Sequence, residues 1–90
     1  MSWSYSFARR AERDLEDVGD SDRRRILELL DRLAADPIAS GADVTKLSGS
    51  DNQWRLRVGR WRVLFQYDRV ARVILVARVL PRNEGTYRRS

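Results

Sequence analysis

The sequence predicts an α+β domain in which an N-terminal strand and a helical hairpin pack on one face of a small, mainly antiparallel β-sheet. Two amphipathic helical patterns follow a short alternating segment. From residue 54 onward the pattern changes to the alternation typical of strands, and the connections are too short for parallel crossovers. We expect one domain, residues 1–90, because a chain of this length supports a single small core.

The N-terminal part is predicted to form one strand and two helices. Residues 3–7, WSYSF, alternate aromatic side chains with serine and indicate an edge strand. The first helix is expected to end at Gly19, and its apolar face comprises Ala8, Ala11, Leu15 and Val18. Asp20 or Ser21 is expected to cap the second helix, which Pro37 ends. The apolar face of the second helix comprises Ile26, Leu29, Leu30 and Leu33.

The C-terminal part is predicted to form three strands. Residues 37–53 have the composition of a polar loop, with Leu47 as its apolar anchor. The strands are expected at about 54–58, 61–67 and 72–80. Gly59 separates the first two, and the turn from Asp68 to Ala71 has no Asn-Gly signal that would fix its geometry. A polar, basic tail follows from Pro81.

Arginine is concentrated in this C-terminal part. Residues 54–90 contain ten arginines and two acidic residues, whereas residues 1–53 contain eight basic and eleven acidic residues. A genome rich in G and C also favours arginine over lysine, but that preference does not separate the two charges along the chain. The separation predicts a polyanionic partner whose phosphates accept forked hydrogen bonds from guanidinium groups.

Strand alternation predicts that the arginines share one face of the sheet. Successive side chains of a strand point to opposite faces, so Arg55, Arg57 and Arg62 are expected on the face that the helices leave bare. The helix-covered face is expected to comprise Trp54, Leu56, Val58, Trp61, Val63, Phe65 and Tyr67. Three apolar side chains are expected beside the arginines, namely Leu64, Ile74 and Val76. Such a surface suits a docked chain or stacked bases, although arginines can also serve only to solvate an open sheet.

The composition excludes several classes of chemistry. The sequence has no cysteine and no histidine, which removes disulfides, thiolate zinc sites, cysteine nucleophiles and imidazole acid–base catalysis. We expect no metal and no cofactor. The N-terminus lacks the apolar region of a signal peptide, and no stretch has the length of a membrane span. These features favour a cytoplasmic protein without a membrane partner.

Two segments, KLSGSDNQWRLRVGRWRVLFQYD and VILVARVLPRNEGTYR, resemble the RelE toxin family within the RelE/ParE superfamily of type II toxin–antitoxin systems. The shared features are a KL-G loop, a basic and apolar strand, a Gly-x-aromatic-Arg-apolar strand and a closing Arg…Tyr. With the helical hairpin, the resemblance extends over nearly the whole chain. It implies a metal-independent endoribonuclease that cuts mRNA in the ribosomal A site, where the RNA 2′-hydroxyl attacks the adjacent phosphate.

The resemblance also implies which residues form the site. Arg62, Arg82 and Tyr87 match the family's catalytic positions. The residues expected to bind RNA are Arg55, Arg57, Arg60 and Arg88. Positions 55 and 57 often hold lysine in the family; arginine stays protonated, so these two residues are expected to bind RNA and not to transfer protons.

The resemblance implies partners as well. These are an acidic, RelB-like antitoxin that folds on binding, the ribosome and mRNA, with operator DNA contacted only through the antitoxin. Two alternatives stay open: a ParE-like protein that poisons DNA gyrase by binding without cutting, and an inactive toxin that binds an antitoxin as a co-repressor. The joint presence of Arg62, Arg82 and Tyr87 favours the ribonuclease.

Overall fold

A computed structural model describes residues 3–38, 41–49 and 51–82. The elements in chain order are β1 (Ser4–Phe7), α1 (Arg9–Glu16), α2 (Asp20–Ala35), β2 (Asp43–Lys46), β3 (Trp54–Val58), β4 (Trp61–Asp68) and β5 (Val73–Pro81). The five strands form one sheet in the order β1-β5-β4-β3-β2. Among the strands of the described residues only the edge strand β1 pairs in parallel, with β5, so the predicted α+β class and mainly antiparallel sheet are confirmed.

The core lies between the two helices and one face of the sheet. Helix α1 packs on β5, and α2 packs on β1 and β3. The largest side chains that are fully buried are Phe65, Ile26, Leu30, Leu33, Leu56, Ile74, Val18, Val63, Val76 and Val79. The prediction that Leu56, Val63 and Phe65 face the helices is therefore confirmed. No helix of the described residues has the length and apolar character that crossing a membrane requires.

The strand β2 lies inside the segment that the sequence predicted to be a loop. It pairs antiparallel with β3, and Val44 is opposite Leu56. Val44 is the single apolar residue of this four-residue strand, so no alternating pattern marks it. Pairing with the exposed edge of β3 provides the hydrogen bonds that the sequence pattern did not indicate.

The helix boundaries differ from the prediction by a few residues. Gly19, with extended backbone, occupies the N-cap of α2, and none of the described side chains caps this helix. Asp20 is already helical, and with Asp22 it places negative charge in the first turn, where the helix dipole favours it. Helix α1 ends at Glu16, three residues before Gly19. Helix α2 ends immediately before Asp36, which agrees with the expected effect of the proline at position 37.

The prediction that Ile74 and Val76 of β5 lie beside the arginines is wrong. Ile74 and Val76 are completely buried, so neither lies on the arginine face. Their partners across the sheet are Tyr67 and Phe65, on the helix-covered face. Residues 73–76 are all apolar, so this run has no alternation from which its buried face could be predicted.

Candidate nucleic-acid interface

Two arginines face each other across the bare side of the sheet. Arg57 of β3 is directly opposite Arg62 of β4, and Arg55 is opposite Leu64. The buried neighbours of these residues in sequence point to the helices, so alternation places the arginines on the other face. Like charges in direct cross-strand positions are destabilising. A directly opposed pair of arginines is therefore not an arrangement that cross-strand pairing by itself favours.

The arginine side chains are only half-exposed. Arg55, Arg57 and Arg62 are all partly buried, as expected when long aliphatic stems lie along a sheet. The Nε atoms of Arg55 and Arg57 are shielded from solvent and have no hydrogen-bond partner among the described residues. Within the same part of the chain, neither residue forms an ion pair with a carboxylate.

The β3–β4 hairpin places two further arginines at the same end of the sheet. Its two-residue turn begins at Gly59, whose φ of +57° belongs to the left-handed region, where glycine carries no Cβ penalty. Arg60 is exposed at this turn, and its carbonyl accepts a hydrogen bond from the backbone N–H of Arg82. In the same ladder Arg62 is opposite Leu80. Backbone pairing therefore places Arg60, Arg62 and Arg82 at the same end of the sheet.

A hydrogen bond from the hairpin to a helix fixes this end of the sheet. The indole N–H of Trp61 donates to Oδ2 of Asp22 on α2, at 2.9 Å. Trp61 was predicted to face the helices, and this contact confirms the prediction. The role of Asp22 could not be predicted, because its partner is 39 residues away in the chain.

Arg78 of β5 is paired with a carboxylate on helix α1 and does not join the other arginines. Arg78 donates from Nε and Nη2 to the carboxylate of Asp14 on α1, at 2.9 and 3.2 Å, and the backbone N–H of Val79 donates to the same carboxylate at 2.9 Å. Burial by itself would raise the pKa of Asp14, but these hydrogen bonds, with the charges of Arg78 and Arg10, outweigh burial and lower it. Arg78 is thus bound to α1 and is not available to the arginine face.

An aromatic cleft lies at another part of the surface. Trp3 and Trp54 both contact the ring of Tyr67 edge to face, with centroid distances of 5.5 and 5.4 Å. The cleft measures about 540 Å³ and is also lined by Ile38, which is 97% exposed. Arg69 lies over the Tyr67 ring at 6.0 Å. Burial raises the pKa of Tyr67, although the charge of Arg69 opposes the rise, so the phenol stays protonated near neutral pH. Sequence patterns did not indicate this cleft, because its residues come from four separate segments.

Two of the predicted site residues lie outside the described residues. These are Tyr87 and Arg88, whose assignments stay predictions. Within the described part of the chain, no group of three or more acidic side chains is arranged to hold a metal ion. The arrangement that the structure does show is a set of arginines on one face of the sheet, and guanidinium groups can bind phosphates and stabilise negative charge.

The chain is similar in sequence to known toxins. The sequence model of the family described as "ParE toxin of type II toxin-antitoxin system, parDE" matches residues 5–85. A curated protein of Methanocaldococcus jannaschii named "Putative toxin RelE1" is 32% identical over 89 residues, which cover 98% of both chains.

Solved structures share the fold. A chain of the archaeal RelE–RelB complex from Pyrococcus horikoshii matches with a TM-score of 0.77 and 27% identity, covering 92% of this chain and 98% of that one. The RelB–RelE complex from Methanococcus jannaschii gives 0.74 and 26%, with coverage of 92% and 95%. The isolated RelE toxin of E. coli gives 0.77 and 18%, with coverage of 99% and 100%, a likeness of fold alone.

Proposed function

Because this chain belongs to the RelE/ParE superfamily of type II toxins, we propose that it is a ribosome-dependent endoribonuclease that cuts mRNA in the A site. The observation that carries the proposal is that Arg57, Arg60, Arg62 and Arg82 lie at one end of the sheet, on the face that the helices do not cover. Four guanidinium groups at this end form a site for the phosphates of an RNA strand.

The proposed reaction uses a nucleophile that the substrate provides. The 2′-hydroxyl of the RNA attacks the adjacent phosphate, forming a cyclic phosphate and releasing the 5′-oxygen of the next nucleotide. The protein then has to align the reacting atoms and stabilise the charge of the pentavalent phosphorane. We assign Arg62 to the scissile phosphate and Arg82 to the developing charge, because both are held by the backbone ladder between β4 and β5.

Proton transfer is assigned to the tail. The sequence contains no histidine, and arginine stays protonated throughout the physiological range. Tyr87, five residues after Arg82, is proposed either to relay a proton or to stack on a base. Arg55, Arg57, Arg60 and Arg88 are proposed to contact RNA phosphates.

The test of this function is the substitution Arg62→Ala. Removing one group that stabilises transition-state charge typically costs about 10²–10³-fold in rate, so we expect mRNA cleavage on ribosomes to fall by that factor. Primer extension on ribosome-bound mRNA measures the cleavage, and circular dichroism measures folding. Arg24→Ala, an exposed arginine of α2, is the control with the same charge change and should cleave normally. Wild-type cleavage by Arg62→Ala would contradict the assignment.

DNA gyrase is the second candidate target. The observation that favours it is the family model itself, which describes ParE toxins. A supercoiling assay run beside the primer extension separates the two. Inhibited supercoiling with intact mRNA would replace the ribonuclease proposal by gyrase poisoning.

The proposed partner is an acidic, RelB-like antitoxin, since the matched archaeal structures are described as RelE–RelB complexes. Ile74 and Val76 are in the core, so they cannot form the apolar contact predicted from sequence. The aromatic cleft provides one instead, and the cations Lys46 and Arg69 lie over its Trp54 and Tyr67 rings. An amphipathic segment with acidic residues fits an apolar cleft with these cations.

Co-expression tests this partner. A short, Asp- and Glu-rich protein encoded next to this chain's gene should restore growth and co-purify with the toxin. Ile38→Asp, in the cleft, should reduce the amount that co-purifies. Val70→Asp is a matched control, because both side chains are 97% exposed and Val70 does not line the cleft. Equal co-purification of both variants would exclude the cleft from the interface.

A further inference from the structure

Part-way along strand β5, the odd-numbered and even-numbered residues exchange the faces of the sheet on which they lie. Phe65 is opposite Val76, whereas the preceding residue Leu64 is opposite Arg78, so Ala77 is an extra residue in β5. Before this bulge Ile74 and Val76 point into the core. After it the buried residue is Val79. A single inserted residue thus inverts the alternation for the rest of the strand.

This inversion determines where Arg82 lies. In a regular strand every second side chain after Ile74 and Val76 would also point into the core. Arg82 would be one of these side chains. With the bulge, Pro81 is opposite Trp61, whose indole bonds to α2. Alternation then places Arg82 on the other face, together with Arg62.

The bulge is held from outside the sheet by one carboxylate. Asp14 accepts hydrogen bonds from Arg78 and from the backbone N–H of Val79, which are the two residues that follow the extra one. A bulge disrupts the ladder locally, and Asp14 satisfies a backbone donor at this point. The Asp14 side chain is 17% exposed, and its lowered pKa keeps the carboxylate charged.

We infer that Asp14 is a positioning residue, which places Arg82 beside Arg62 by fixing the bulge of β5 at Ala77 and Arg78. Asp14 lies on α1 and does not belong to the arginine face, so it acts only through the course of β5. The inference rests on the proposed ribonuclease function. Its structural part, that Asp14 fixes the bulge, can be tested without any cleavage.

The experiment compares Asp14→Ala and Asp14→Asn with Glu16→Ala, which removes an exposed carboxylate from the same helix. Amide hydrogen exchange of Arg82 reports the bond to the Arg60 carbonyl, and NMR cross-peaks between Trp61 and Pro81 report the register. We expect Asp14→Ala to lose both signals and Glu16→Ala to keep them. Asp14→Asn retains one acceptor for the Val79 N–H, so it should fold and give intermediate protection, even if the alanine variant does not fold.

Single-turnover cleavage tests the functional part. A misplacement of about 1 Å can cost about 100-fold in rate, so Asp14→Ala should lose about as much rate as Arg82→Ala, while ribosome affinity stays unchanged. In the Arg82→Ala background, Asp14→Ala should cause little further loss, whereas independent effects would multiply. A general loss of stability would instead lower affinity and rate together.

The outcomes separate the two claims. Persistent Arg82 protection in folded Asp14→Ala would overturn the inference, whatever the cleavage rate. Lost protection with wild-type cleavage would overturn the positioning role. If the wild-type protein cleaves no RNA, the proposed function fails and the positioning role fails with it, while the exchange data still decide whether Asp14 fixes the bulge.

Discussion

The two faces of strands β3 and β4 differ in how their side chains are buried and paired. On the helix-covered face, Leu56, Val63 and Phe65 are at most 1% exposed and belong to the apolar core. On the bare face, Arg57 and Arg62 are opposite each other, and the Nε atom of Arg57 has no hydrogen-bond partner in the described residues. The first arrangement stabilises the fold.

This difference indicates a division of roles within single strands. Because adjacent residues of a strand point to opposite faces, a substitution on one face can change stability while its neighbour changes only binding. Changes on the helix-covered face should lower the free energy of unfolding, whereas changes on the arginine face should leave it nearly constant and weaken the interaction with RNA.

The largest effect is expected from Phe65→Ala on the helix-covered face. Truncating a fully buried phenylalanine removes about 3–5 kcal/mol, a large share of the roughly 5–15 kcal/mol that stabilises a small domain. Urea denaturation followed by circular dichroism measures the loss. Leu75→Ala is the control, because Leu75 is 38% exposed and should lose under about 1 kcal/mol. Similar losses for both variants would show that the two faces do not differ in stability.

An intermediate effect on stability is expected from Asp14→Asn, at the bulge of β5. The pKa of Asp14 is lowered in the folded protein, so its ionised form adds stability above its unfolded pKa of about 3.9. That contribution is lost as the pH falls through the lower, folded pKa. Asp14→Asn should therefore lower the urea midpoint at pH 7, by less than Phe65→Ala does. The difference from wild type should shrink below about pH 4, and a difference independent of pH would refute the role of charge.

The smallest effect on stability is expected from Arg55→Gln combined with Arg57→Gln. Surface substitutions of this kind change stability by less than about 0.5 kcal/mol. Ribosome binding should weaken, and the slope of log affinity against log salt should fall by about 0.7 for each lost contact to single-stranded RNA. Arg24→Gln with Arg32→Gln, two exposed arginines of α2, removes the same charge as a control. An unchanged slope for the first pair would mean that these arginines only solvate the sheet.

The elements with clear periodicity or clear breaks could be predicted from the sequence. The apolar stripes of the helices, Gly59 between two strands and the proline after α2 sufficed for these elements, since each signal is local. That Arg55, Arg57 and Arg62 lie on one face could also be predicted from the sequence, because β3 and β4 alternate regularly around buried residues. The separation of charge and the family resemblance were likewise visible without coordinates.

The features that depend on partners distant in the chain could not be predicted and became visible in the fold. Asp14 and Arg78 are 64 residues apart, and the Asn52 side chain bonds to the backbone of Tyr67 across 15 residues. Strand β2 lacks a pattern of its own, and its pairing with β3 defines it. The apolar run at 73–76 fits either face, so the hydrogen-bond register and the bulge determined which side chains became core. Register and bulges depend on contacts between strands, and the sequence of one strand does not contain them.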